Sequence, residues 1–134
     1  MLVVVIAFMG FVWGCGQDKY DKVVEVNDQF VSVTQEYIDG LNKAESGKDI
    51  AKAMNKYADE FKKLGPKMKE ISEKYPELMT AKDLPEKIKQ SQAKATQIGM
   101  DLASSFMKTM KYLADPEVVA AQKRMGEVMQ SLQK

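Results

Sequence analysis

The chain reads as all-α, an antiparallel up-and-down four-helix bundle of three long helices and a shorter C-terminal one, placed after an apolar N-terminal segment. Three observations predict this. Apolar residues recur at steps of three and four in four successive stretches. Glycine, proline and aspartate stand between the stretches, where helices start and stop. The connections are short, which suits neighbours that run in opposite directions.

In the first stretch Val23, Val26, Phe30, Val33, Tyr37, Leu41 and Ala44 form one stripe on a helix over about residues 18–45. Its β-branched residues cost helix propensity, so packing must hold it. Ser46-Gly47-Lys48-Asp49 breaks the pattern, with Ser46 and Asp49 spaced as a capping box. The second stripe is nearly strict: Ile50, Met54, Tyr57, Phe61, Leu64, Met68, Ile71, Tyr75. Gly65-Pro66 interrupts it without changing its phase, which predicts one helix kinked there rather than two helices.

Residues 76–85 carry no period and read as a loop with room for one helical turn. A third helix is expected from about Pro85 to Ala114, with Leu84, Ile88, Ala95, Ile98, Leu102, Phe106, Met110 and Leu113 on its apolar side. Its middle is thin: Ser91, Ala93, Ala95, Thr96 and Gly99 would let a neighbour approach closely or line a narrow polar layer. Asp115-Pro116-Glu117 is the strongest local signal, an aspartate N-cap, a proline at the first helical position and an acid in the first turn. The helix that follows runs to about Leu132 with Val118, Ala121, Met125, Val128 and Leu132 on one face. In this topology the Ser46–Asp49 and Asp115 turns share one end, and residues 76–85 lie at the other, near the N-terminus.

The N-terminus has its own chemistry. No charge precedes Asp18, and the run from Leu2 to Trp13 is too short to span a bilayer, which needs about 20 apolar residues. A short apolar core ending in small residues reads as a secretory signal. Cys15 is the only cysteine. Val12-Trp13-Gly14-Cys15 resembles the lipobox of bacterial lipoproteins, in which a small residue precedes an obligatory cysteine. That resemblance implies diacylglyceryl transfer to the Cys15 thiol, cleavage before it and acylation of the new amine. Trp13 stands where that family prefers a small residue, and the segment lacks its usual Lys or Arg. The same residues would also suit a buried N-terminal helix with a core cysteine, or a signal cleaved without lipid.

The organisation expected is a signal over 1–14, a lipidated cysteine and short tether over 15–19, and a bundle domain over 20–134. Gly16 stands where enterobacterial lipoproteins held in the inner membrane carry aspartate. The resemblance therefore implies a lipid-anchored protein of the cell envelope facing the periplasm, with the outer membrane favoured over the inner, or facing the cell exterior. Ala44 to Ala53 is similar to the first turn of soluble b-type cytochromes, which are periplasmic four-helix bundles, but the haem-ligating histidine has no counterpart. The chain is also similar to small helical lipoproteins of Gram-negative bacteria without an assigned role.

Composition excludes more than it proposes. The 134 residues allow one domain. Twenty Lys and Arg against nineteen Asp and Glu leave a net charge of +1, and a nucleic-acid binder would show a basic excess. Histidine is absent, and with it the commonest general base, metal ligand and haem ligand. Ser91–Lys94 and Ser105–Lys108 both match S-x-x-K, but the partner motifs of that chemistry are missing. No catalytic residue and no cofactor are expected.

Methionine offers the soft-ligand alternative. Met107 and Met110 are one turn apart, as are Met125 and Met129, and four thioethers on two helices would suit Cu(I). The same residues serve equally as gap-fillers in a core, as Met54 and Met68 do in the second stripe. The sequence thus predicts a membrane-anchored, non-catalytic helical module with a protein partner in the envelope. The alternative is a periplasmic carrier of a soft metal or of a small hydrophobic ligand.

Overall fold

A computed structural model describes residues 19–80 and 82–132 of the chain. The apolar run, Cys15 and the tether as far as Asp18 lie outside the described residues.

Among the described residues five α-helices follow one another: α1 over Asp21–Lys43, α2 over Gly47–Lys74, a single turn α3 over Glu77–Thr80, α4 over Glu86–Thr109 and α5 over Pro116–Ser131. The four long ones form the four-helix bundle expected. A 3-10 turn, Met110–Tyr112, tightens the end of α4, where the sequence suggested plain helix as far as Ala114. Helix α2 continues unbroken through Pro66. Pro66 and Lys62 are both exposed, so the carbonyl that loses its partner to the proline can bond water instead.

The helix starts are built as the residues dictate. Asp49 donates its amide to the Ser46 hydroxyl (3.2 Å) and Ser46 donates its own amide to the Asp49 carboxylate (3.1 Å). The Ser46 side chain, more than any other group, holds the Asp49 carboxyl below its ordinary range. At α5, Glu117 donates its amide to Asp115 Oδ1 (2.9 Å) and Pro116 opens the helix.

Consecutive long helices alternate in direction. Pairs between α1 and α2 spread steadily apart in sequence, from Gly40 beside Ala53, through Glu36 with Lys56, to Gln29 with Lys67 and Lys22 with Glu70, as antiparallel helices require. Helix α4, however, packs on α1 rather than on α2, and it runs parallel to it. Lys87 meets Asp21 (2.8 Å), Lys94 meets Asp28 (3.2 Å), and Lys108 donates to Asn42 (3.1 Å). All three pairs are 66 residues apart, and only parallel helices keep such a spacing constant. Helix α5 lies along α2 in the same manner, with Asp115 against Gly47, Arg124 on Asn55 and Asp59, and Leu132 against Gly65. Two helical hairpins are therefore laid side by side with both of their turns at one end. The segment 75–85 crosses at the other end, beside the first described residues, where Lys19 pairs with Glu77 (2.7 Å) and the Tyr20 ring stands edge-on to Tyr75 (5.6 Å).

The core lies nearer the turn end. Tyr37, Leu41, Ile50, Ala51, Met54, Tyr57, Val118 and Ala121 form its buried cluster, joined from α4 by half-buried Leu102. Tyr37 and Tyr57 stack at 4.5 Å between ring centres. Thr34, fully buried, shares a hydrogen bond with the Tyr57 hydroxyl (3.4 Å). Burial first, then the neighbouring Tyr57, pushes the Tyr37 phenol up to about 12. A phenol that holds its proton more tightly when folded contributes stability below about pH 10. That contribution is lost as pH rises towards 12, because the unfolded chain releases the proton first. Urea titrations between pH 10 and 12 should show stability falling by up to roughly 3 kcal/mol from this group, and Tyr37→Phe should flatten the fall.

Candidate functional site

Helix α4 carries two different faces. Inward, Ile88, Ser91, Ile98, Ser105 and Thr109 are buried. Asn27 of α1 donates its side-chain amide to both the backbone oxygen and the hydroxyl of Ser91 (2.6 Å each). On the flank towards α1, Lys87, Lys94 and Lys108 meet Asp21, Asp28 and Asn42.

The outward face is different. Met100 is 58 % exposed, Phe106 40 %, Met107 70 % and Met110 58 %. Ala93, Thr96, Gly99, Ala103 and Ser104 lie exposed among them. From Ala93 to Met110 the middle of this face holds no charged side chain. Val119, one turn into α5, is half exposed. Isolated surface hydrophobics are ordinary, whereas several on one helix face make it a candidate contact surface.

This placement corrects part of the sequence reading. Phe106 and Met110, expected on the core side, are exposed, and Met68 of the second stripe is 38 % exposed. The thin middle of α4 is no internal polar layer. Ser91 is buried and Ala95 half-buried, but Ala93, Thr96 and Gly99 face outward, and a Cβ added at Gly99 would meet nothing. The four candidate sulfur ligands are divided between settings: Met107 and Met110 on the outer surface, Met125 and Met129 packed half-buried against the core. Among the described residues no three His, Cys, Asp or Glu side chains are grouped to hold a metal. Among those residues, too, no helix is long and apolar enough to cross a membrane.

A second feature lies at the opposite end. Helix α5 has 16 residues against the 28 of α2, and its Leu132 reaches only as far as Gly65. Past that point none of the described helices forms a fourth wall. A groove of about 290 Å³ opens there, lined by Val23, Val26, Phe30, Met68, Ile71 and Tyr75, with Leu78 at its end. The polar side chains beside it, Asn27 and Ser72, are engaged with Ser91 and with the Lys69 carbonyl. Sequence periodicity marks Val23, Val26, Phe30, Met68, Ile71 and Tyr75 as core; Val26 and Tyr75 are buried, and the others are left partly open where α5 ends.

The fold and these two surfaces define a small helical bundle with an apolar strip on the outside of α4 and an apolar groove at its base. Compared with protein-family models, with curated proteins and with solved structures, the chain finds no match.

Proposed function

We propose that the protein is a lipid-anchored, non-catalytic interaction module of the bacterial cell envelope, held by Cys15 and presenting the outward face of α4 to a protein partner. The observation that carries the reading is the uncharged strip of Met100, Phe106, Met107 and Met110 on a helix already folded by its other face. Methionine is flexible and polarisable, and exposed methionines suit adaptable contact with apolar side chains.

The placement of the strip favours a protein over the anchoring bilayer. Cys15 precedes Lys19 by four residues, at the end where Lys87 meets Asp21. Met107 lies about 30 Å along α4 from that end, at 1.5 Å per residue. A surface that far from the anchor stands clear of the membrane that holds it. Gly16, where aspartate would favour inner-membrane retention, makes the outer membrane the proposed location, with the periplasm or the cell exterior as the space faced.

A photocrosslinking residue at Met107 in the native envelope is expected to give a discrete adduct, whereas the same group at Lys62, on the exposed side of α2, gives none. Recovery of the unmodified chain alone from both positions refutes the reading. Cys15→Ser separates out the anchor: the variant should remain uncut and leave the membrane fraction, and unchanged processing and fractionation would remove the lipid from the proposal.

The groove at Ile71 favours a second reading, carriage of a small hydrophobic ligand. It predicts that a fluorescent fatty acid binds saturably and that Ile71→Asp reduces its affinity at least tenfold. Equal affinity in the two proteins rejects it.

A further inference from the structure

We propose that the outward face of α4 pairs, in parallel, with α4 of a second copy of this chain. This rests on the reading above, that the strip is the interaction surface and Cys15 the anchor. Ala93, Thr96, Met100, Ala103 and Met107 of α4, with Met110 of the 3-10 turn that follows, succeed one another at steps of three and four, as the seam of a coiled coil does, and all six are exposed. The opposite edge of that heptad is Ile98 and Ser105, both buried against the bundle. Helix α4 thus has one seam for its own core and a second, in the same register, that is uncovered.

Charge selects the occupant. The positions flanking the seam are Gln92, Gln97, Gly99, Ser104 and Phe106, and the first charged flank on that side is Lys111, beyond the helix. Lys94, Asp101 and Lys108 sit one position further round, where Lys94 and Lys108 face α1 and Asp101 accepts from Gln97. A partner with a charged recognition surface would find no charge within the seam to pair with, whereas an identical neutral seam meets no repulsion and no unpaired charge. Size agrees. The exposed methionines, Phe106 and the small residues between them offer on the order of 600–800 Å², one partner's share of a standard interface. Small side chains at 93, 99, 103 and 104 leave room for the opposing methionines. Because α4 is already folded within its bundle, pairing costs no helix formation.

The anchor selects the direction. Parallel pairing about a two-fold axis along α4 puts both Cys15 residues at one end, so that one bilayer holds both copies. Antiparallel pairing would put them at opposite ends.

Cysteine crosslinking in native membranes tests this, using the full chain with Met100→Cys, Met107→Cys or, as a control, Lys62→Cys, under mild oxidation. Expected are disulfide-linked homodimers from Met100→Cys alone and from Met107→Cys alone, and none from the control or from the unsubstituted chain. In the Met100→Cys background, Met107→Glu should cut the dimer at least tenfold with unchanged helical circular dichroism. No dimer from either seam position overturns the proposal. A dimer that forms only when the two variants are mixed overturns the parallel arrangement. An adduct of another mass keeps the interaction reading and overturns the second copy. A disulfide dimer from the unsubstituted chain shows a free Cys15 thiol and overturns the anchor on which the direction rests.

Discussion

Replacing Ile50 by alanine lowers the free energy of unfolding by about 4 kcal/mol and leaves the urea m-value unchanged. Ile50 is 2 % exposed, in the first turn of α2, and belongs to the cluster built from α1, α2 and α5. Removing three carbons there forfeits their transfer from water and leaves a cavity, which for Ile→Ala costs about 2–5 kcal/mol according to how far the site collapses. Collapse is restricted at Ile50. The Ser46–Asp49 capping box fixes the backbone just before it, and Gly47 stands against Asp115, the cap of α5. The upper half of the range is therefore expected. A domain of this size holds about 5–15 kcal/mol in all, so the loss is a large share of the total. A loss below 1 kcal/mol, read by urea titration followed by circular dichroism, would mean that the turn end is not where the core lies.

Glycine substitutions should split by sign. At Gly40 a Cβ would come within 2.9 Å of the Ala53 Cβ across the α1–α2 contact. Neither atom is the tip of a flexible chain, so relief requires the two helices to separate. Gly40→Val is expected to destabilise by about 2–3 kcal/mol, because overpacking outweighs the gain in helix propensity. At Gly126, on α5, an added Cβ meets nothing within 4 Å. Gly126→Ala is expected to stabilise by roughly 0.5–1 kcal/mol through the unfolded chain. Thermal melts of the two variants decide the matter, and a stabilising Gly40→Val would refute the close approach.

Much of the fold was legible because each helix announces a buried side at the period of its backbone. Tyr37, Leu41, Ile50, Met54, Tyr57, Val118 and Ala121 all come from the stripes and all lie in the core. Both N-caps were legible for a similar reason, since Ser46 and Asp115 act on amides two or three residues away. Periodicity does not say which helix covers a stripe. The placement of α4 on α1 is marked by a fainter signal, Lys87, Lys94 and Lys108 set against Asp21, Asp28 and Asn42 at steps of seven or a multiple of it, which becomes visible only when the two helices are compared at a fixed offset.

The outward strip was misread for a geometric reason. From Ile98 the apolar residues continue to Leu102, Phe106 and Met110 in steps of four, and each such step turns about 40° past a full revolution. By Met110 the line has moved about a third of the way round the helix, off the core and into solvent. The groove at Ile71 was hidden differently: its residues keep strict phase, and what exposes them is the early end of α5, a property of another segment.

The uneven lengths of α2 and α5 also divide the molecule mechanically. Among the described residues, the end that carries the turns has four walls and the buried cluster, while the base beside Lys19 has three. Amides in the last turns of α2 should exchange with solvent well before those around Met54, since opening the base disturbs little of the core. Tension applied through the N-terminus would peel that base first. The crown bearing the methionine strip would keep its shape, a firm head on a yielding neck.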